Sequence, residues 1–293
     1  MSPWLNYAVK ICRTIDEMRS ASRAARQDQR RLGFVPTMGA LHAGHISLVR
    51  AARQQCDAVA VSIFVNPTQF GPKEDFSKYP RTFERDRELL EAEGADIVFA
   101  PTTEEMYPPG ATTFVTVEGL SEKLCGRSRP GHFRGITTVV SKLFNIVEPD
   151  VAFFGQKDSA QAVIIRRMVR DLGLGVEIVV CPIVREPDGL ALSSRNAYLD
   201  PRQRKQATVL YRSLMRVQSL SDRGESDSAR LVAAALEAFK GEPEVRLDYF
   251  EIVDRDTLDP VANTSKGALV AVAAFVGTTR LIDNIVLHAA AQS

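Results

Sequence analysis

Two histidines three residues apart, His42 and His45, are the first residues of this sequence whose types and spacing could do chemistry. They lie between a short apolar run at 32–37 and an apolar pattern typical of a helix that begins near Gly44. The N-terminus of a helix carries partial positive charge and backbone N–H groups without helical partners. Both imidazoles are therefore predicted to lie where an anion binds well.

Three interpretations of this histidine pair are open on the residues alone. The pair could be solvated or satisfied inside the core, it could bind zinc, or it could contact phosphate. A zinc site needs a third ligand, but His132 is the only other histidine before His288, and no HExxH motif is present. Because three of the four histidines fall at predicted strand or loop ends, we favour the phosphate contact.

Other polar residues follow further predicted strands. Asn66 and Gln69 carry amides that both donate and accept, which suits a hydroxyl group beside a carboxylate, although Asn66 followed by proline is also a common turn. Arg129 and His132 precede a predicted helix, and this arrangement suits either an anion or a solvated basic turn.

Two cationic residues point to the same chemistry. A predicted strand ends at Gly155, and Lys157 and Asp158 then open a helix whose first turn carries Gln161. A cation at a helix N-terminus is unfavourable by ~0.3–1 kcal/mol unless an anion binds there, so we predict that Lys157 contacts phosphate. Arg195, in the segment LSSRN, is predicted to clamp phosphate, with an ordinary polar linker as the alternative.

Alternating strands and helices must position these residues. Apolar runs typical of buried parallel strands and patterns typical of helices alternate along the first part of the chain. The strands are predicted at 32–37, 58–65, 95–100, 150–155 and 176–184, and the helices at 44–56, 81–93, 135–147 and 159–172. This alternation predicts an α/β fold with a doubly wound, Rossmann-like parallel sheet, whose ligand crevice lies at the carboxyl ends of the strands.

The usual phosphate-binding motifs are absent from the sequence. No GxGxxG follows the first predicted strand, and no GxxxxGK[ST] occurs anywhere. The two imidazoles would therefore supply the donors that other folds take from a glycine loop or a lysine.

The pattern changes after Asn196. Asp200 and Pro201 predict the start of a helix that runs to about Val217, and a second helix is predicted at 227–239. Alternating strands at 246–254, 268–277 and 279–287 follow. We therefore predict two domains, a Rossmann-like domain over 1–185 that binds the ligands and a smaller α+β domain over 186–293.

Composition excludes several classes of protein. The 293 residues include 37 Lys and Arg against 36 Asp and Glu, so no overall charge attracts nucleic acid or an anionic membrane. The four cysteines form no CxxC pair, which disfavours a disulfide framework and a structural zinc site. The longest apolar run, 268–277, is about half the ~20 residues that a membrane helix needs. We expect a cytoplasmic protein without a signal peptide, a membrane partner or a nucleic-acid partner.

Several motifs in order resemble the pantothenate synthetase (pantoate–β-alanine ligase) family. The resemblance covers nearly the whole chain and rests on PTMGALHAGH, FVNPTQF, YPRT, RPGHFRG, FGQKD and LSSRN. The HAGH element is also similar to the HIGH signature of the nucleotidyltransferase and class I aminoacyl-tRNA synthetase superfamily. The resemblance implies a two-step reaction in which ATP and pantoate give pantoyl adenylate and pyrophosphate, and β-alanine then gives pantothenate and AMP. It also implies Mg²⁺, small-molecule partners only, a homodimer and a place in coenzyme A biosynthesis.

The resemblance further implies roles for individual residues. The catalytic residues would be His45, as the proton donor to the leaving phosphates, with His42, Lys157 and Arg195. ATP would contact Met38, Gly39, His42, Gly44, His45, Gly155, Gln156, Lys157, Asp158, Val184, Leu192, Ser193, Ser194 and Arg195. Pantoate and β-alanine would contact Asn66, Gln69, Gln161, Arg129 and His132. The protein ligands of Mg²⁺ are left open, with Asp86 as a candidate.

Three other functions remain open at this point. A related nucleotidyltransferase would share the HAGH helix but has less use for the two glutamines Gln69 and Gln161. A zinc hydrolase would use His42, His45 and His132. A nucleotide-sensing module would bind ATP without forming AMP.

Overall fold

The computed structural model describes residues 8–72, 74 and 76–289, which form two compact units. The first unit comprises residues 8–117, 131–155 and 164–181, and the second comprises 118–130, 156–163 and 182–289. Two short segments that precede residue 185 in the chain thus group with the C-terminal part. A domain boundary after residue 185 stays a prediction.

The first unit is built on a six-stranded sheet whose strands are all parallel. The strands are β1 Lys10–Cys12, β2 Leu32–Thr37, β3 Ala58–Ile63, β4 Ile97–Phe99, β5 Val151–Gly155 and β6 Glu177–Cys181. Their order across the sheet is β1-β4-β3-β2-β5-β6. The five predicted strands are confirmed, and β2 has the predicted bounds. The edge strand β1 was not predicted, since three residues carry too little pattern.

Helices alternate with these strands along the chain, as the doubly wound α/β prediction requires. They are α1 Ile15–Ala25, α2 Ala43–Gln55, α3 Phe83–Ala92, α4 Thr103–Met106, α5 Cys125–Ser128, α6 His132–Val147 and α7 Ser159–Asp171. α5 and the first residues of α7 belong to the second unit. The predicted α/β fold class is confirmed.

The sheet has a topological switch point between β2 and β5. From β2 the chain moves outward through β3 and β4, and it then returns to β5 on the other side of β2. In open parallel sheets, ligands bind outside the carboxyl ends of the strands at such a point. The loop that contains His42 follows β2, and Gly155 ends β5, so the sequence places polar groups at this edge.

Apolar burial explains the position of α2, and a left-handed glycine explains where α6 begins. Four residues of α2 are buried and recur with helical spacing: Ile46, Leu48, Val49 and Ala52. α6 begins one turn before the predicted start at Gly135. The reason is that Gly131, at φ 81°, adopts the left-handed conformation and ends the preceding turn, so His132 becomes the first residue of the helix.

The second unit contains an antiparallel sheet and three further helices. The helices are α8 Pro201–Ala207, α9 Val209–Asp222 and α10 Ser228–Glu237, and the strands are β7 Val245–Val253, β8 Ala268–Val276 and β9 Thr279–Leu287 in the order β7-β8-β9. The prediction of one helix from Asp200 to Val217 was wrong, because the chain breaks at Thr208 and continues to Asp222. Within the described part of the chain, every helix is too short or too polar to cross a bilayer.

The C-terminal core explains the apolar run that the sequence analysis assigned to a strand. The residues of β8 from Ala268 to Ala274 are all buried, and those on one face, Ala268, Val270, Val272 and Ala274, share a core with Leu210, Leu214 and Val217 of α9. A central strand that is covered on both faces needs apolar residues in succession, which is why β8 lacks strict alternation.

Candidate active site

The loop between β2 and α2 is held in a strained conformation by one buried carboxylate. Gly39 (φ 81°) and Ala40 (φ 51°) both adopt the left-handed conformation, which is uncommon for alanine. Asp86, fully buried in α3, accepts hydrogen bonds from the N–H of Ala40 (2.8 Å) and of Leu41 (2.9 Å). The hydroxyl of Thr82 also donates to Asp86, at 3.1 Å. Asp86 therefore fixes the turn that directly precedes the histidine pair.

The two histidines cap the helix that they begin. His42 is the N-cap residue of α2, and its Nδ1 accepts from the N–H of Gly44 at 3.1 Å. Nδ1 of His45 accepts from the N–H of His42 at 3.4 Å, and the two ring centroids lie 4.1 Å apart. An imidazole nitrogen that accepts carries no proton, so in each neutral ring the proton is on Nε2. Both rings are thereby held as Nε2–H donors.

The charge of this helix end is positive. The first turn of α2 contains no acidic residue, so no carboxylate within that turn offsets the partial positive charge of the helix N-terminus. Backbone N–H groups and two half-buried imidazoles thus present donors at the same place. This combination stabilises negative charge, as on a phosphate chain.

A metal-centred interpretation of the histidines finds no support in the geometry. Among residues 8–72, 74 and 76–289, no group of three or more His, Cys, Asp or Glu side chains is arranged to hold a metal ion. The oxygens of Asp86 accept hydrogen bonds from the loop and from Thr82, so this carboxylate serves as an anchor.

The turn after β3 presents Gln69 by means of a buried amide. Asn66 is 1% exposed and is the N-cap of the 3-10 turn Pro67–Gln69. Its Nδ2 donates to Oε1 of Gln69 and to the carbonyl of Gly135, both at 3.1 Å, and its Oδ1 accepts from the hydroxyl of Tyr107 at 2.9 Å. Nε2 of Gln69 donates to Sδ of Met38 at 2.9 Å, which links this turn to the loop after β2.

His132 and Gly135 hold the same turn from α6. Nδ1 of His132 donates to the carbonyl of Gln69 at 2.8 Å. A Cβ atom at Gly135 would lie 2.3 Å from the carbonyl oxygen of Thr68, so only glycine allows α6 to approach this turn. The position of Gln69 therefore depends on an intimate backbone contact.

In the second unit, the turn that carries Lys157 is tied to β9. The 3-10 turn Gln156–Asp158 directly precedes α7. The carbonyls of Gln156 and Lys157 both accept from Nδ2 of Asn284, each at 2.9 Å. The predicted helix start after Gly155 is thus a 3-10 turn followed by an α-helix, and Asp158 is exposed.

The loop that carries Arg195 also has a defined local structure. Ser193 caps the 3-10 turn Ser194–Tyr198, and its hydroxyl accepts from the N–H of Arg195 at 3.2 Å. The N–H of Leu192 donates to the carbonyl of Val184 at 3.0 Å and closes the hairpin before this turn.

An arginine of α8 braces this hairpin. The guanidinium of Arg204 bonds to Glu186 at 2.7 Å and to Asp188, and its hydrogen bond is the main reason that the pKa of Asp188 is lowered. The segment that carries Ser193 and Arg195 is therefore ordered by its own unit.

The predicted site residues fall into two groups, one in each unit. The first unit contains Met38, Gly39, His42, Gly44, His45, Asn66, Gln69, His132 and Gly155, and the second contains Arg129, Gln156, Lys157, Asp158, Gln161, Val184, Leu192, Ser193, Ser194 and Arg195. Hydrogen bonds link Met38, Gln69, Asn66 and His132 into one network.

Three residues that hold the candidate site residues in place were not identified from the sequence. Tyr107, whose pKa is raised by burial, bonds to Asn66 from 41 positions away, and Asn284 reaches Lys157 across 127 positions. Neither lies in a local motif. Gly135 carried a signal that could have been used, since a glycine inside an apolar helix costs stability unless another backbone approaches closely.

Comparisons with known proteins identify the family of the chain. The family model described as pantoate-beta-alanine ligase matches residues 10–286. A pantothenate synthetase of Koribacter versatilis is 61% identical over 285 residues, with 97% of this chain and 98% of the relative covered. The crystal structure of pantothenate synthetase from Thermus thermophilus superposes with a TM-score of 0.90 at 49% identity and covers 94% of this chain and 99% of that one. The pantoate-beta-alanine ligase of Francisella tularensis, complexed with beta-gamma ATP and beta-alanine, gives 0.77 at 35% identity, covering 95% and 97%.

Proposed function

The chain belongs to the pantoate-beta-alanine ligase family, and we propose that it carries out the family's reaction at the carboxyl ends of β2, β3 and β5. It is an enzyme that condenses pantoate with β-alanine in an ATP-dependent reaction. The reaction passes through pantoyl adenylate and releases pyrophosphate and AMP.

The observation that carries the proposed site is the mutual capping of His42 and His45. Because Nδ1 of His42 accepts the N–H of Gly44 and Nδ1 of His45 accepts the N–H of His42, each neutral ring carries its proton on Nε2. Two such donors at a helix N-terminus without acidic residues form a site for the phosphates of ATP. In this proposal His45 donates to the leaving pyrophosphate, and His42 helps to stabilise the negative charge of that pyrophosphate.

The chemistry needs charge stabilisation more than a nucleophile of the protein. In the first step a carboxylate oxygen of pantoate attacks the α-phosphorus of ATP, and the bond from that phosphorus to the pyrophosphate oxygen breaks. In the second step the amine of β-alanine attacks the activated carbonyl carbon, the bond to AMP breaks and the amine loses a proton. Both steps are favoured by alignment and by donors preorganised for the developing charge.

We assign pantoate to the network around Gln69. The amide of Gln69 is presented after β3, and His132 holds its backbone. Asn66 was predicted to contact substrate, but its amide bonds to Gln69, Gly135 and Tyr107, so we now propose that it orients Gln69. Gln161 and Arg129 remain proposed substrate contacts of the second unit.

The second unit is proposed to supply further ATP contacts. Lys157, at the start of α7, is suited to neutralise phosphate, since its charge otherwise opposes the helix dipole. Arg195 has the guanidinium geometry that binds phosphate oxygens in pairs. Local support for this assignment is the defined turn that holds each residue, since Ser193 caps the turn of Arg195 and Asn284 donates to the carbonyl of Lys157.

We propose three finer features. Mg²⁺ would be held by the ATP phosphates and water, since the described residues form no protein cage for it. Its chemistry would be to neutralise phosphate charge. A cytoplasmic location is supported by four unpaired cysteines, and a homodimer rests on the family resemblance alone.

An isotope-exchange assay tests this function. The enzyme, pantoate, ATP and labelled pyrophosphate are incubated without β-alanine, and label in ATP is measured. We expect exchange that depends on pantoate, since adenylation is reversible before β-alanine enters. Label that enters ATP without pantoate, or only when β-alanine is present, would contradict a pantoyl adenylate formed at this site.

A further inference from the structure

Asn284, in the C-terminal strand β9, is buried but lies in no motif of the proposed site. Its side chain is 1% exposed, and its amide bonds to the turn Gln156–Asp158. Nδ2 donates to the carbonyls of Gln156 and Lys157, each at 2.9 Å, and Oδ1 accepts from Nε2 of Gln156 at 2.9 Å. One amide thus uses both of its N–H groups and its oxygen on this turn.

The backbone of Asn284 is itself fixed by a buried ion pair. Its N–H donates to Oδ1 of Asp283 at 2.7 Å, and Asp283 is bound by Arg185 through both oxygens, at 2.6 and 2.9 Å. Burial raises the pKa of Asp283, while the hydrogen bond and charge of Arg185 and, last, the charge of Lys157 lower it.

The hydrogen bonds from Asn284 fix the backbone of the Gln156–Asp158 turn as well as stabilising β9. Carbonyl groups that are held by N–H donors fix the φ and ψ angles of a short turn, and here those angles set where the Lys157 side chain begins. A displacement of about 1 Å in a group that aligns reactants can cost ~10²-fold in rate. The length and flexibility of a lysine side chain make a fixed starting point more important.

We propose that Asn284 is a positioning residue for the ligase reaction, which acts by holding the Gln156–Asp158 turn so that Lys157 meets the phosphates of ATP. The inference rests on the proposed role of Lys157. It assigns a function in adenylation to β9, in which none of the motifs quoted for the family resemblance lies.

The test compares Asn284→Ala with a matched control in the same unit. Gln206→Ala removes another buried amide, which accepts from the N–H of Glu244 at 3.0 Å and makes no hydrogen bond to a site residue in the described structure. For both variants we would measure melting temperature and the kcat and KM for ATP in pantoate-dependent pyrophosphate exchange. Asn284→Ala is expected to lower kcat/KM for ATP by ~10- to 10²-fold, and Gln206→Ala is expected to leave it within about twofold.

A double variant separates positioning from general stability. If Asn284 acts through Lys157, then Asn284→Ala combined with Lys157→Ala is no slower than Lys157→Ala alone. Losses that multiply in the double variant, or normal exchange in Asn284→Ala, would overturn the inference while leaving the proposed function intact. Normal exchange in Lys157→Ala would overturn the assignment of Lys157 and the inference with it.

A second substitution guards against a folding defect. Should Asn284→Ala not fold, Asn284→Asp keeps the side-chain shape and replaces the donating NH₂ group by an oxygen. It is expected to show the same loss for ATP with little change in the KM for pantoate. An equal loss for both substrates would overturn the inference.

Discussion

At the scale of single residues, the histidine pair shows how a structural role and a chemical role can coincide. A serine or aspartate would cap α2 equally well, because N-cap residues need only an acceptor oxygen. An imidazole caps with one nitrogen and keeps a second nitrogen as a donor. His42 and His45 thereby fix their own tautomers by capping.

The first prediction concerns His45. Replacing His45 by alanine removes one preorganised donor, so kcat for pantoyl adenylate formation should fall by ~10²–10³-fold. His288→Ala, which changes an exposed histidine, should be unaffected in the same rapid-quench assay. Wild-type rates in a folded His45→Ala protein would remove His45 from the mechanism.

The second prediction decides between two roles of Asp86. If Asp86 anchors the loop after β2, Asp86→Asn places an NH₂ group against a backbone N–H of that loop. The free energy of unfolding should then fall by ~1–3 kcal/mol. The Mg²⁺ concentration at half-maximal activity should stay the same. The measurements are urea unfolding and an Mg²⁺ titration. Unchanged stability together with a raised Mg²⁺ requirement would instead identify Asp86 as a metal ligand.

At the scale of elements, the approach of α6 to the turn after β3 sets the position of Gln69. Gly135 is the contact point, and its replacement would push the backbone of Thr68 and Gln69 away. This explains why a helix with twelve buried residues tolerates a glycine in its interior.

The third prediction follows from that contact. Gly135→Ala should lower stability by ~1–3 kcal/mol through overpacking and should raise the KM for pantoate more than the KM for ATP. Gly175→Ala is the matched control, because a Cβ atom at Gly175 would have no neighbouring atom within 4 Å. If Gly135→Ala leaves both stability and the KM for pantoate unchanged, the turn does not depend on this contact.

The fourth prediction concerns the turn that follows β7. The N–H groups of Asp256 and Thr257 donate to Asp254, at 2.9 and 2.8 Å, and they lower the pKa of its carboxyl group. A carboxyl group whose pKa is lower in the folded chain stabilises the fold above its unfolded pKa of about 4, and this contribution is lost as the pH falls through the folded pKa.

Melting temperatures measured from pH 7 to pH 3 test this turn. The wild type should lose stability more steeply below about pH 4 than Asp254→Asn, and the two curves should converge at the acidic end. Parallel curves over the whole range would show that Asp254 does not contribute in this way.

The sequence predicted an element correctly where the residues of that element carried the signal themselves. The run LGFVPT predicted β2 to the residue, because a buried parallel strand is apolar throughout. The break at Thr208 could not be predicted, since both flanking segments are good helix formers. The same limit applied to the site, where HAGH is a local motif but the contact from Asn284 depends on how distant strands pack.

At the scale of the whole molecule, nearly balanced charge means that the substrates are bound by local fields. The chain has 37 cationic and 36 acidic side chains, so attraction of ATP must come from a few placed groups. Each unit holds its own set in capped turns and loops. Function therefore depends on where backbone turns place a small number of donors. The net charge of the chain does not predict these positions.

The central claim is that the phosphates of ATP bind at the N-terminus of α2 through His42 and His45. A crystal structure of this chain with a non-hydrolysable ATP analogue and pantoate tests it most directly. We predict that phosphate oxygens lie within hydrogen-bonding distance of Nε2 of both histidines, with the pantoate carboxylate facing the α-phosphorus. Phosphates bound away from this helix end, with the two rings contacting only protein, would contradict the account.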